Sequence, residues 1–334
     1  MDSNGTLYWI IAAAGILLSG VLFVCLARRR GFPVGRAAAG FLAGLGLALL
    51  FAKGVYVCFY YASLDQYGFA KWFRAVPKEF SFVAGAAGFC LGPVLLFFKN
   101  RHRFPALLDC LAAPGCLLAA CLRFGEIFLG QLGLSDVYAM GLPDIADGSF
   151  LARFPFAVQD AWGVWYLSVS TLAALAALGI GLAAFLRLRK DTVPAGMVFE
   201  RCAFLLCAVR FFLELTRMEC MIFFFVHVEQ ALCAIMMAIL FVHTGQRLKK
   251  TGRRFPVLSL VFFILCIALN GIVQYLQDKP WKFQALFTED AFRWLNANLR
   301  WFGYVLLLAT TVIPIILYLR IWHKAKGNIN PVSG

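Results

Sequence analysis

Residues 7–30 read LYWIIAAAGILLSGVLFVCLARRR, an uncharged apolar run that ends in three consecutive arginines. An α-helix of about 20 residues crosses the hydrocarbon core of a bilayer and satisfies its backbone polar groups internally. Arginines directly after such a run are typical of the cytoplasmic end of a span. This stretch therefore predicts a transmembrane helix whose C-terminal end faces the cytoplasm.

Eight further apolar runs of similar length predict an all-α integral membrane protein with about nine transmembrane helices. Of the 334 residues, 62% are hydrophobic and only 14% are charged, whereas a soluble protein carries about 25% charged residues. The sequence lacks the alternation in ten-residue segments that is typical of a membrane β-barrel. The nine predicted runs are residues 7–27, 37–57, 80–98, 105–122, 162–186, 198–216, 221–243, 256–276 and 301–319.

The distribution of lysine and arginine predicts the orientation in the membrane. With the N-terminus outside and the C-terminus cytoplasmic, the cytoplasmic segments hold 19 of the 31 basic residues and the external segments hold 10. This is the asymmetry that the positive-inside rule requires. The net charge of +14 indicates attraction to anionic lipid rather than a nucleic-acid partner. The predicted cytoplasmic segments are residues 28–36, 99–104, 187–201, 244–255 and 320–334.

The sixth run contains ionisable residues, which are costly inside a bilayer and usually functional. Arg210, Glu214 and Arg217 have a spacing that places all three on one face of a helix. One carboxylate between two guanidiniums predicts a site of net positive charge. Because a guanidinium can grip a phosphate through two parallel hydrogen bonds, this face is a candidate phosphate site. A salt-bridge ladder that only holds helices together is the alternative.

Further basic residues, Lys53, Arg123 and Arg153, are expected near the outer half of the membrane, which favours an anionic lipid headgroup as the ligand. The eleven cysteines show no CxxC spacing and are interpreted as small buried apolar residues. His227 has no second ligand at helical spacing, so we interpret its surroundings as a polar packing seam rather than a metal site. No metal or cofactor is implied.

The stretch from Arg210 to Arg217 resembles the Arg-Phe-Phe-x-Glu-Phe-x-Arg motif of the prolipoprotein diacylglyceryl transferases. It is followed by Glu229-Gln230, where that family has Gly-Gln. Further stretches are similar to other motifs of the family in the same order: Tyr8; Ala52-Lys53-x-x-Tyr56-Val57; Ser81-Phe82-Val83-x-Gly85; Asp109-x-x-x-Ala113-Pro114; Arg123-Phe124-Gly125-Glu126-x-x-x-Gly130-Gln131-Leu132; and Arg153-Phe154-Pro155 with Asp160. The resemblance covers residues 1–245, a predicted seven-span domain, and leaves residues 246–334 as two additional spans and a cytoplasmic tail.

The resemblance implies an enzyme of the bacterial plasma membrane. It would transfer a diacylglyceryl group from phosphatidylglycerol to the thiol of the lipobox cysteine in a prolipoprotein signal peptide. By the same resemblance, Arg123 and Arg210 hold the lipid phosphate and Glu214 orients Arg210. The other residues assigned to the site are Lys53, Arg153 and Arg217 as phosphate ligands, Glu126 and Asp160 as candidate bases, and Tyr8, Gly130 and Gln230.

The chain departs from the family pattern at several of these positions. Val83 replaces the family's histidine, Glu126 replaces an asparagine, and Lys53 replaces an arginine. The phosphate-binding arginines are thus kept while their polar surroundings change. Two non-enzymatic alternatives stay open: a relative that binds lipid without transferring it, and a small membrane transporter.

Overall fold

The computed structural model of the chain describes residues 3–65, 80–128, 147–159, 163–190, 193–214, 221–223, 226–278 and 288–326. Within these ranges it contains nine α-helices, each of which corresponds to one of the nine predicted apolar runs. They are α1 (Ser3–Arg29), α2 (Val34–Asp65), α3 (Phe82–Leu96), α4 (Phe104–Gly125), α5 (Val169–Lys190), α6 (Met197–Glu214), α7 (Val228–Lys250), α8 (Val257–Asp278) and α9 (Glu289–Lys326). Short 3-10 helices precede and follow α4, at Phe98–Arg103 and Glu126–Phe128.

Seven of the described helices are long and apolar enough to cross a membrane, so the protein is an all-α membrane protein. The helix α3 is shorter, and α6 carries four charged residues along its length. Large apolar side chains lie on the outer surface of α1, where Leu17 is 69% exposed and Val21 is 64% exposed. Such a surface is unfavourable in water and suits contact with lipid.

Two predicted runs begin with β-strand residues rather than a helix. The strand β1 (Ala157–Gln159) pairs antiparallel with β2 (Trp165–Leu167), which lies inside the run predicted from residue 162, and α5 begins only at Val169. In the run predicted from residue 221, β3 (Ile222–Phe223) pairs with β4 (Val226–His227) before α7 begins. Aromatic and β-branched residues raise hydropathy and strand propensity together, so hydropathy alone placed these boundaries too early.

The chain divides into two compact units, residues 1–233 and 234–334. In the first unit, α4 packs against α1, α5 and α6, while α2 packs along α3. A cluster of buried apolar residues that includes Phe23, Phe41 and Phe89 joins these helices. The predicted boundary at residues 245–246 stays a prediction.

Glycines allow α2 and α3 to approach closely. A Cβ atom added at Gly88 would lie 2.5 Å from the carbonyl oxygen of Leu47, and one added at Gly92 would meet the backbone of Gly44. Membrane helices pack through van der Waals contact of such small residues, because lipid gives no hydrophobic driving force for association. The helix α3 is thereby held firmly against α2.

In the second unit, α8 packs against α9. The amide of Asn270 donates a hydrogen bond to Thr310 Oγ1 at 3.1 Å. The Phe241 ring lies 5.0 Å from that of Phe263 and 6.5 Å from that of Tyr318. A polar bridge and a row of aromatic rings therefore hold this unit together.

Candidate functional site

Several charged residues of the first unit lie around the first turn of α3. Ser81 caps this helix, because its Oγ accepts a hydrogen bond from Ala84 N at 3.2 Å. The Ser81 backbone N–H donates to the carbonyl of Ala52 at 3.0 Å. The start of α3 is therefore tied to α2 directly beside Lys53. We use the term α3 N-terminal cluster for Lys53, Arg123, Glu126, Arg210, Glu214 and Glu229, which lie around this turn.

Arg210 and Glu214 form a buried ion pair within α6. Arg210 Nη2 lies 2.8 Å from Glu214 Oε2, and the two side chains are 5% and 1% exposed. The i, i+4 spacing predicts this contact. Each of the two buried groups compensates the charge of the other, which burial would otherwise make costly.

Glu229 brings a second carboxylate to Arg210. Glu229 Oε2 lies 3.9 Å from Arg210 Nε and accepts a long hydrogen bond, 3.4 Å, from the backbone N–H of Val83. Its side chain is 2% exposed, and its Oε1 has no hydrogen-bond partner among the described residues. The predicted arrangement of one carboxylate between two guanidiniums stays a prediction; among the described residues, Arg210 has two carboxylates near it. Arg217 lies outside those residues.

Lys53 is buried in α2. Its Nζ lies 5.2 Å from the centre of the Tyr56 ring and 5.3 Å from that of the Phe80 ring. Aromatic faces attract a cation within about 6 Å. These rings therefore help to stabilise an ammonium group that burial would otherwise disfavour, next to the start of α3.

Arg123 reaches the same turn from the end of α4. Its guanidinium lies 5.0 Å from the centre of the Phe82 ring, and its Nη1 lies 2.7 Å and 3.0 Å from the two carboxylate oxygens of Glu126. A Cβ atom added at Gly125 would lie 3.0 Å from the Tyr8 ring, so α1 packs against the same end of α4. Arg123 thus lies next to Phe82. The adjacent residue, Val83, is contacted by Glu229, which pairs with Arg210.

Asp109 of α4 fixes the start of α6. Its buried carboxylate accepts hydrogen bonds from Gly196 N at 2.7 Å and from Phe199 N at 2.8 Å. Backbone N–H groups in the first turn of a helix lack intrahelical acceptors, and a carboxylate there also suits the helix dipole. Asp109 therefore sets the axial position of the helix that carries Arg210. The sequence offered Asp109 as part of a motif but gave no sign of this partner.

The remaining predicted site residues are not all brought to this turn. Gln230 is buried next to Glu229. Arg153 lies in an exposed turn before β1, where its carbonyl accepts hydrogen bonds from Phe156 N and Ala157 N. Gly130 and Asp160, like Arg217, lie outside the described residues.

The α3 N-terminal cluster combines three cations with three carboxylates, so its formal charges balance. Two of the cations, Lys53 and Arg210, are buried, which strengthens their attraction to an incoming anion relative to water. Glu229 was missed as a site residue, because its role depends on a contact with a residue 146 positions away. The one signal in the sequence was its charge in an apolar run.

No family model matches the chain, and a search of curated proteins finds no match.

Proposed function

We propose that the protein transfers a diacylglyceryl group from phosphatidylglycerol to the lipobox cysteine of an exported prolipoprotein. The observation that carries the proposal is the convergence of Lys53, Arg123 and Arg210 on the first turn of α3. Each lies in a stretch that resembles a motif of the prolipoprotein diacylglyceryl transferases, and the three stretches are far apart in the sequence. Convergence of separate motifs on one turn is expected of a shared site and not of scattered structural charges.

The proposed reaction needs cations at the position where negative charge develops. The cysteine sulfur attacks the glyceryl carbon that bears the phosphate, a C–S bond forms, the C–O bond to phosphate breaks, and glycerol phosphate leaves. Arg123 and Arg210 neutralise the leaving phosphate, and Lys53 assists them. Such pre-oriented charges act more strongly in a site that excludes water.

The proposal includes the arrangement in the membrane. The described helices α1 to α9 would all cross the plasma membrane of a bacterial cell, with the N-terminus outside. Arg28 and Arg29, at the end of α1, and Arg247 and Lys249, near the end of α7, would then lie on the cytoplasmic side. Residues 1–245 would carry the transferase activity, and α8 and α9 would be an addition to it.

A second candidate is a lipid-binding protein without transferase activity. It is favoured by the two carboxylates beside Arg210, which compete with a lipid phosphate for the guanidinium, and by Val83, which replaces the family's histidine. Both candidates share a site for phosphatidylglycerol. They differ in whether a thiol reacts there.

A transfer assay on the purified protein in lipid nanodiscs tests the proposal. The assay supplies phosphatidylglycerol with a labelled acyl chain and a peptide that contains a lipobox cysteine, and it measures label on the peptide. We expect transfer by the wild type and loss of most of it in Arg210→Lys, because an ammonium group cannot reproduce two parallel hydrogen bonds to phosphate. Arg254→Ala, an exposed residue of the second unit, is the control and should keep wild-type activity.

Two results decide between the candidates. Binding of labelled phosphatidylglycerol without any transfer to peptide would replace the enzyme with the lipid-binding protein. Equal transfer by wild type and Arg210→Lys would show that the charged cluster is not the site.

A further inference from the structure

Two departures from the family pattern touch each other in this structure. Val83 stands where the family has histidine, and Glu229 stands where it has glycine. The two positions belong to α3 and α7, yet Glu229 Oε2 accepts the hydrogen bond of Val83 N. The chain has lost a proton-accepting side chain at one position and gained one at its neighbour in space.

We propose that Glu229 is the proton acceptor for the substrate thiol, in place of the family's histidine. The inference rests on the proposed transferase function and assigns a residue that the family pattern lacks. Of the two candidate bases expected from the sequence, Asp160 lies outside the described residues, and Glu126 has both oxygens of its carboxylate against Arg123 Nη1. It is therefore committed to positioning Arg123.

The two oxygens of Glu229 have different surroundings. Oε2 is held by Val83 N and lies near Arg210 Nε, which fixes the orientation of the carboxylate. Oε1 is buried and has no hydrogen-bond partner among the described residues. A buried oxygen without a partner is costly, and such costs are retained mainly where function requires them. A thiol proton would satisfy Oε1.

The proton balance of the step follows from this arrangement. The S–H bond of the cysteine breaks and its proton moves to Glu229 Oε1. The sulfur electron pair forms the C–S bond, and the electron pair of the breaking C–O bond stays on the phosphate oxygen. Glycerol phosphate leaves with one additional negative charge, and the proton on Glu229 passes to water or to this phosphate. No oxidant, metal or other reactant is needed.

Protonation of Glu229 also changes the charge beside Arg210. Before the step, two carboxylates lie against this guanidinium. Once Glu229 is neutral, the negative charge of only one of them, Glu214, remains. Arg210 therefore attracts the phosphate more strongly at the moment when the phosphate gains negative charge. An interaction that is stronger in the transition state than with the bound substrate lowers the reaction barrier.

A selenocysteine peptide provides the test. A selenol is more acidic than a thiol and is ionised at neutral pH, so it reacts without a base, whereas a thiol must first lose its proton to react. In the nanodisc assay, Glu229→Gln should lower transfer to the cysteine peptide by about 10²–10⁴-fold, the usual contribution of a general base. Transfer to the selenocysteine peptide should stay near the wild-type rate. The ratio of the two rates does not depend on how much of the variant is folded.

Two variants serve as controls. Glu126→Gln should lower the rate of transfer to both peptides by the same factor, because it disturbs Arg123 and hence phosphate binding. Glu289→Gln changes an exposed carboxylate of α9 and should change neither rate. An unchanged cysteine rate in Glu229→Gln, or equal losses with both peptides, would overturn the role of Glu229 while leaving the transferase function intact. If the wild type transfers to neither peptide, the transferase function itself fails.

Discussion

The buried group of Arg210, Glu214 and Glu229 gives a prediction about stability that does not depend on any activity. Arg210→Met removes the guanidinium and leaves two carboxylates, 1% and 2% exposed, without that cation. Breaking a buried ion pair costs about 3–5 kcal/mol. We therefore expect Arg210→Met to lower the free energy of unfolding by at least this amount, because two buried carboxylates lose this cation at once.

Glu214→Gln removes the carboxylate of the pair instead of the guanidinium, and we expect it to cost less stability. Arg210 then keeps Glu229, whose Oε2 lies 3.9 Å from Nε, so the guanidinium stays compensated. The charged hydrogen bond between Arg210 and Glu214 is lost, which costs about 1.5–3 kcal/mol. Arg210→Met alone leaves two buried carboxylates without this guanidinium. In the double variant, Arg210→Met with Glu214→Gln, only the charge of Glu229 is left in this way, since position 214 is neutral. The double variant should therefore lose less stability than the sum of the single variants.

The measurement is unfolding of the three variants and the wild type in detergent micelles, followed by tryptophan fluorescence during titration with denaturing detergent. The wild type should have the highest free energy of unfolding, Glu214→Gln a lower one, and Arg210→Met a lower one still. Arg293→Met, which breaks an exposed pair with Glu289, should change the free energy by less than about 1 kcal/mol. The reasoning is refuted if Glu214→Gln costs more than Arg210→Met, or if the two effects add fully.

Three further predictions concern the scaffold. Asp109→Ala should lower the free energy of unfolding by about 3 kcal/mol in the same titration, because two backbone N–H groups lose a charged acceptor; Asp109→Asn should lose less, and equal losses would contradict the capping role. Gly92→Val should lower the midpoint of thermal unfolding, since its Cβ would meet the backbone of Gly44, whereas Gly46→Ala, with open space around it, should not. A cysteine at Lys250 in a cysteine-free background should resist impermeant thiol reagents in intact cells; external labelling would reverse the predicted orientation.

The sequence could predict those features that depend on residues within one helix. Hydropathy located all nine described helices, because each contains a mainly apolar run, and seven of them are long and apolar enough to cross a membrane. The contact of Arg210 with Glu214 was predictable because an i, i+4 spacing places them together in any α-helix.

The features that could not be predicted depend on how separate helices pack. Glu229 meets Val83 across 146 residues, and Asp109 meets Gly196 across 87. Nothing local to these residues specifies the partner. The hairpins before α5 and α7 were missed for another reason, because a short apolar stretch can form either a strand or part of a helix.

The contact between α2 and α3 has a consequence for how this protein can evolve. A side chain at Gly92 would meet the backbone of Gly44, and one at Gly44 would lie 2.6 Å from the carbonyl oxygen of Phe89. A compensating mutation normally relieves a clash by shortening the opposing side chain, but here the obstacle is main chain, which no substitution can remove. In related sequences these glycines should therefore be constant without covarying, so a covariation analysis would overlook this close contact between α2 and α3.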